Sequence, residues 1–472
     1  MTPTQQLIAQ MRPEEPGTAG HKTCGHDLQA YGLHVRNGVY AALAAALLAV
    51  VCCTLAAGRA EAWSTGATIS GGGRAQPLAL ASDPAGNGVG VIAGATADSP
   101  LMLLERDAVA APGGLELAWK ASVPFPGGVP GFTTSTALAQ SATAAAAGAG
   151  AAAIVVRSRA DGSDTLTALA RDAGDPFGEP ATIVPGNFDR VSDVSVAVSA
   201  AGTVIVGFDA AHTGSPRAAY AVRLSGHVFG RPRVISLSGA GPVATAVGPS
   251  EDAVIAWTRA GRAEATLLDD AGKAGRYRVL GRAATRGEIA AAGGERGTMI
   301  AWEGPHGAVR VIRRGTTATA FGRVVTARRG TRANLSGMVA ALDPFGIAYV
   351  AWREGRGAQT RILVARGRPG HRFTIDQVAN GAGLGKPAMV DRPIGGTIVG
   401  FAARAGWQAR KVPTAGGLPL QSTVSAAGTA TAVQLARPFV GAGPGPRANL
   451  AWLQPSAPGP GFDLMESQET DP

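Results

Sequence analysis

At 472 residues the chain exceeds what one ordinary hydrophobic core serves, so it holds either several domains or a repeat that spreads its core over many small units. Hydrophobic residues at 46% are ample for burial, while 67 glycines and 31 prolines suit many short strands better than long helices. The net charge of +10 rests on arginine more than lysine and by itself selects no partner.

Residues 1–38 form a polar N-terminal extension, and residues 39–62 hold an export signal or a membrane anchor. No residue between Arg36 and Arg59 is charged, and Val39 to Ala57 is an apolar run of nineteen, about enough to cross a bilayer as one hydrophobic helix. Ala60-Glu61-Ala62 then gives the small-x-small pattern of a signal peptidase site, with Trp63 as the first mature residue. An uncleaved anchor is the alternative, because the extension is long for a signal peptide, and translation from near Val35 or Val39 would account for that length. Either way the expected location is extracytoplasmic, secreted or held at the cytoplasmic membrane by this segment. Cys24, Cys52 and Cys53 all precede Trp63, so the exported part has no disulfide, no thiol catalysis and no cysteine-based zinc site.

From residue 63 to residue 465 one pattern recurs eight times. Its anchor is a short apolar strand ending, in the clearest copies, in an aromatic residue. Val91-Ile92-Ala93 and Ile154-Val155-Val156 are weak copies, and Phe208 and Phe401 end two variants. Trp257, Trp302, Trp352 and Trp452 end the other four. The mean spacing from residue 93 to residue 452 is about 51 residues, a blade-sized period. Before the anchor lies another apolar strand and a turn such as Asp343-Pro344-Phe345-Gly346. After it comes a third strand, as at Thr360 to Arg366, and a fourth opening near an aromatic, as at Phe177, Phe229, Phe321 and Phe373. Alternation puts Ile255 and Trp257 on one face and Ala256 on the other, so each ring serves as a packing wedge. Ser141 to Ala153, rich in alanine and glycine, falls where a first strand and its turn belong.

The last copy lacks a fourth strand, and Ala67-Thr68-Ile69-Ser70 can supply it. The expectation is therefore an all-β fold, a β-propeller of four-stranded blades. Eight blades are predicted with seven as runner-up, and the N-terminal strand closes the C-terminal blade. Residues 466–472 are read as a flexible tail, and the protein as a monomer.

The Asp-Pro-x-Gly turn followed by Val-Ala-Trp resembles the repeats of TolB-type and WD40-like propellers, with proline and aspartate reversed. It is more similar to the uncharacterised secreted propeller-repeat proteins of actinobacteria. Both resemblances cover about residues 63–465 and imply fold without activity.

No catalytic set, metal site or cofactor motif emerges. Ser82-Asp83-Pro84-Ala85-Gly86 resembles the start of a sialidase repeat box, but no tryptophan follows and the turn joins the wrong strands. His212, His227, His306 and His371 stand singly in expected loops. Charge is uneven: residues 259–372 carry 21 basic against 8 acidic residues, a balance of +13, and the rest of the chain sums to −3. Arg310, Arg313, Arg314, Arg323, Arg328, Arg329 and Arg332 crowd into the fifth copy and could bind a cell-wall polyanion or polysaccharide, or else coat a solvated edge. The expected role is a non-catalytic binding or scaffold module whose partner is such a polymer or another extracytoplasmic protein, nucleic acid being excluded by compartment. The alternative is a glycan-active enzyme, sialidase-like or another propeller glycosidase or lyase.

Overall fold

The computed structural model describes residues 150–418 almost continuously, and outside that range mainly strands between residues 67 and 468, few of them with side chains. The apolar run at 39–57 lies outside the described residues, as do Arg332, His212 and the side chain of Trp452. No helix among the described residues is long and apolar enough to cross a membrane.

The described strands form eight antiparallel sheets, seven of four strands and one of five, with two three-residue 3-10 turns and no α-helix. The fourth sheet is typical. Its strands are Ala240–Val247, Ala253–Arg259, Arg262–Leu268 and Arg278–Arg282, each paired with the next. The fifth comprises Ile289–Gly294, Gly297–Gly304, Ala308–Gly315 and Val325–Arg328, and the sixth Leu335–Leu342, Ala348–Glu354, Arg361–Gly367 and Thr374–Asn380. All eight repeat anchors lie on second strands, as the spacing predicts. The alanine-rich stretch is the hairpin of Ala144–Gly148 with Ala151–Ala160. Phe177, Phe229, Phe321 and Phe373 precede the fourth strands rather than belonging to them. After the first three, the glycine that follows donates its N–H to the third strand: Gly178 to Ala170, Gly230 to Val222 and Gly322 to Arg313.

The core sits between sheets. Trp257 and Ile255 pack back onto Ile205, Ala218 and Tyr220 of the third sheet. Ala256 and Val254, on the opposite face, receive Trp302 and Ile300 of the fifth. Trp352 likewise packs on Met299, Ala301 and Val311 of the fifth, and Phe401 on the sixth. Phe208, Trp257, Trp302, Trp352 and Phe401 are all fully buried. Truncating such a ring typically costs about 3–5 kcal/mol.

First strands approach one another so closely that large side chains are barred: a Cβ on Gly293 would fall 1.7 Å from the Val247 carbonyl oxygen. Each first strand lies beside that of the next sheet, from Gln76–Ser82 onward to Phe439–Ala442, and Gln76–Ser82 also lies beside Phe439–Ala442. Ala67–Thr68 pairs antiparallel with Phe462–Gln468, Ala67 opposite Glu466 and Thr68 opposite Met465. That last strand runs to Gln468, past the boundary at 465 read from the sequence, because Ala448–Pro455 continues to pair with it.

Candidate functional site

The fourth, fifth and sixth sheets carry a tryptophan at the same register position, and the polar group beside each ring differs. In the fourth, Glu264 stands directly opposite Trp257 across the strands and accepts its indole N–H at 2.8 Å. Arg259, two residues beyond the ring, closes on the same carboxylate at 2.6 and 2.9 Å, and this hydrogen bonding holds its guanidinium above its ordinary pKa. In the sixth, Glu354 occupies the place two beyond Trp352, accepts that indole N–H at 3.2 Å, and is paired with Arg328 at 2.6 Å and Arg361 at 2.5 Å. Both carboxylates are only 1% exposed and fully engaged.

The fifth sheet inverts this chemistry. Opposite Trp302 stands Arg310, where the fourth sheet has Glu264, and two beyond the ring stands Gly304. The same register shift between third and fourth strands precedes Glu264, Arg310 and Leu363 of the sixth sheet, which fixes the equivalence. With no carboxylate near, Trp302 donates to the Arg282 backbone carbonyl at 3.1 Å. A Cβ on Gly304 would lie 3.2 Å from the Arg310 Nε, and one on Gly281 would lie 3.3 Å from its Nη1, so glycine at both positions makes the room that the guanidinium fills. Arg310 Nε is buried without a hydrogen-bond partner, a state that ordinarily costs stability.

Around it opens a cavity of about 560 Å³ lined by Arg282, Pro305, His306, Ala308, Arg310, Thr326, Arg329 and Gly330. Three arginines and a histidine line it, and no acid does. Its rim is the 3-10 turn Pro305–Gly307, with His306 in the left-handed region at φ 60°. Non-glycine residues enter that region rarely. Arg328 holds the turn from beneath, donating to the Gly307 carbonyl at 3.1 Å and to Thr331 Oγ1 at 2.6 Å. Gly330 lets the turn close over, since a Cβ there would meet the His306 carbonyl oxygen at 2.9 Å.

Of the seven arginines singled out in the sequence, the six among the described residues thus separate. Arg310 and Arg329 meet in the cavity, joined by Arg282 and His306, which sequence reasoning did not select. Arg313 reaches the sixth sheet, bonding the Gly346 carbonyl at 2.9 Å and the Gly367 carbonyl and lying over the Phe373 ring at 5.6 Å. Burial there lowers its pKa to about 10. Arg314 pairs with Asp252 of the fourth sheet, Arg328 with Glu354, and Arg323 is exposed in a loop.

A second group of charges collects where first strands begin. Asp193, in the left-handed region at φ 49°, has its carboxyl pKa raised by desolvation and by Glu288. Asp209, 3% exposed, is raised to about 6 by desolvation, against hydrogen bonding from Ser192 and despite Arg190, and its Oδ1 has no partner. Glu303 is raised by desolvation, although it accepts the Glu288 backbone N–H at 3.3 Å. Lys386 faces Asp193, and Glu288 accepts the Gly337 N–H at 3.0 Å. Among the described residues no three acids, histidines or cysteines are grouped to hold a metal ion.

No protein-family model matches the chain, and no curated protein matches it. Solved structures do. An ulvan lyase of polysaccharide lyase family PL25 aligns over 83% of this chain and 93% of its own at 11% identity and a TM-score of 0.47. The fucose-binding lectin of Aleuria aurantia, described as a six-bladed β-propeller, aligns over 61% and 98% at 13% identity and 0.36. A Hadza microbial sialidase aligns over 54% and 60% at 14% identity and 0.34. Likenesses this distant leave the reading of the cavity to its own residues.

Proposed function

We propose that the chain is an extracytoplasmic β-propeller of eight blades that binds an anionic group of its partner in the Arg282–Arg310–Arg329 cavity. The ring is supported by the unbroken succession of neighbouring first strands and by the strand shared between residues 67–68 and the last sheet. The single observation that carries the binding role is Arg310. Guanidinium stands where the equivalent position of the fourth sheet carries a carboxylate, and the cavity around it offers no counter-charge. Guanidinium forks match carboxylate, sulfate and phosphate, and a concavity lined by one sign of charge focuses its field on an entering anion.

The test is retention on an immobilised polyanion. Arg310→Gln with Arg329→Gln elutes at clearly lower salt than the parent, whereas Arg323→Gln, on an exposed loop outside the cavity, elutes with it. Equal elution of all three proteins ends the proposal.

A glycan-active enzyme is the second reading, favoured by the raised carboxyls of Asp209 and Asp193, one suited to hold a proton near neutral pH. Release of reducing ends from acidic polysaccharides, abolished by Asp209→Asn at unchanged folding, would establish it.

A further inference from the structure

We infer that the cavity is one station of a longer track and that its ligand is an acidic polysaccharide gripped at two or more of its anionic groups, an inference that rests on the reading of the cavity above. In the fourth sheet Arg259 stands directly opposite Arg262, and Arg262 directly opposite Arg282. Directly opposed residues lie about 5 Å apart, and like charges at that spacing repel. Glu264 neutralises Arg259. Among the described residues no carboxylate pairs with Arg262 or Arg282, and both are exposed. Arg282 in turn lines the cavity that holds Arg310 and Arg329. Arg262, Arg282, Arg310 and Arg329, none paired with a carboxylate among the described residues, therefore follow one another from the exposed end of the fourth sheet to the cavity.

A sheet that sets arginine against arginine without counter-ions carries an electrostatic cost, which an anion lying along the row removes. One small anion in the cavity leaves Arg262 uncovered. A chain with repeated acidic groups covers both, and linking the contacts multiplies affinity without new chemistry. The lining also narrows the kind of polymer. It contains no phenylalanine, tyrosine or tryptophan, the platforms on which single-stranded nucleic acids stack, and no apolar pocket for the aromatic anchor of a protein interface. Arginine, histidine and threonine side chains remain, and they match the acidic groups and hydroxyls of an anionic sugar chain.

The experiment is calorimetric titration of the full chain with galacturonic acid, tetragalacturonate, a sulfated tetrasaccharide, neutral maltotetraose and a four-residue oligothymidylate. An acidic tetrasaccharide, carboxylated or sulfated, binds at least about tenfold tighter than the monosaccharide, and maltotetraose does not bind. Arg262→Gln cuts that preference to about twofold at a thermal midpoint no lower than the parent's, and Arg262→Lys, which keeps the charge, restores most of it. Equal affinity for monomer and tetramer, or a preference that survives Arg262→Gln, overturns the track while leaving the cavity reading in place. Tighter binding of the oligothymidylate than of either acidic sugar overturns the polysaccharide. If no anion binds, or if Arg310→Gln leaves galacturonate affinity unchanged, the cavity reading itself falls.

Discussion

The fourth and fifth sheets share strand order, register, bulge and a buried tryptophan, yet their outer flanks behave as opposites. In the fourth, the carboxylate opposite the ring gathers the indole and an arginine into a closed set. In the fifth, arginine replaces carboxylate and glycine replaces arginine, and the flank opens into a basic cavity. The packing face toward the preceding sheet is the same in both. Two substitutions and one added residue in the intervening turn thus separate a closed ion-pair set from an open basic cavity at the same register, while the tryptophan keeps its place in the core.

The comparison breaks most sharply at Glu264. Glu264→Ala leaves Trp257 Nε1 and Arg259 without their carboxylate and should lower stability by about 3–5 kcal/mol in denaturant unfolding. A loss below about 1 kcal/mol would mean the closed set does not hold the fourth flank.

On the other face of the second strands, the residue just after the aromatic is Asp209 in the third sheet and Glu303 in the fifth, both with raised carboxyl pKa. Because folded Asp209 takes up its proton near pH 6 and the unfolded chain only near 4, the folded state binds more protons between those values, and stability falls as pH rises through that window. Asp209→Asn should therefore be more stable than the parent at pH 7, by up to about 3 kcal/mol, with the difference gone below about pH 4. Parallel stability-pH curves for the two proteins would contradict the assignment.

Arg310→Glu restores the fourth sheet's sign in the fifth. It should cost at least about tenfold in affinity for an acidic tetrasaccharide, or about 1.4 kcal/mol, with folding intact by circular dichroism. The smallest effect sits at the rim. His306→Gly relieves the left-handed backbone and should add about 0.5–1 kcal/mol of stability while weakening binding only slightly, both readable from melting curves with and without ligand.

Much of this architecture was legible because packing between sheets demands the same residue at the same place each time. Trp257, Trp302 and Trp352 recur for that reason, and Asp343 at its turn accepts the Phe345 and Ile347 N–H groups, so the turn was legible too. The cavity was not legible. Counting arginines by proximity joined Arg313 and Arg314, which bond to neighbouring sheets, with Arg310, which does not. It passed over Arg282, because that residue precedes the fifth copy in sequence and reaches the cavity only through sheet packing. Aligning copies from the tryptophan would have exposed the exchange of Glu264 for Arg310, had the turn at Pro305–Gly307 not lengthened the hairpin and shifted the count by one.

The partnership of Ala67–Thr68 with Phe462–Gln468 sets an order on assembly. The two segments stand almost a whole chain apart, so each sheet between them can form as soon as its own residues emerge, while Thr68 must wait for Met465 to be synthesised. Once made, Phe462–Gln468 is the bare edge of the last sheet until Ala67–Thr68 docks on it, open meanwhile to any passing strand. Closing so long a loop adds little entropy beyond closing a short one, which makes the delay a matter of timing rather than of strength.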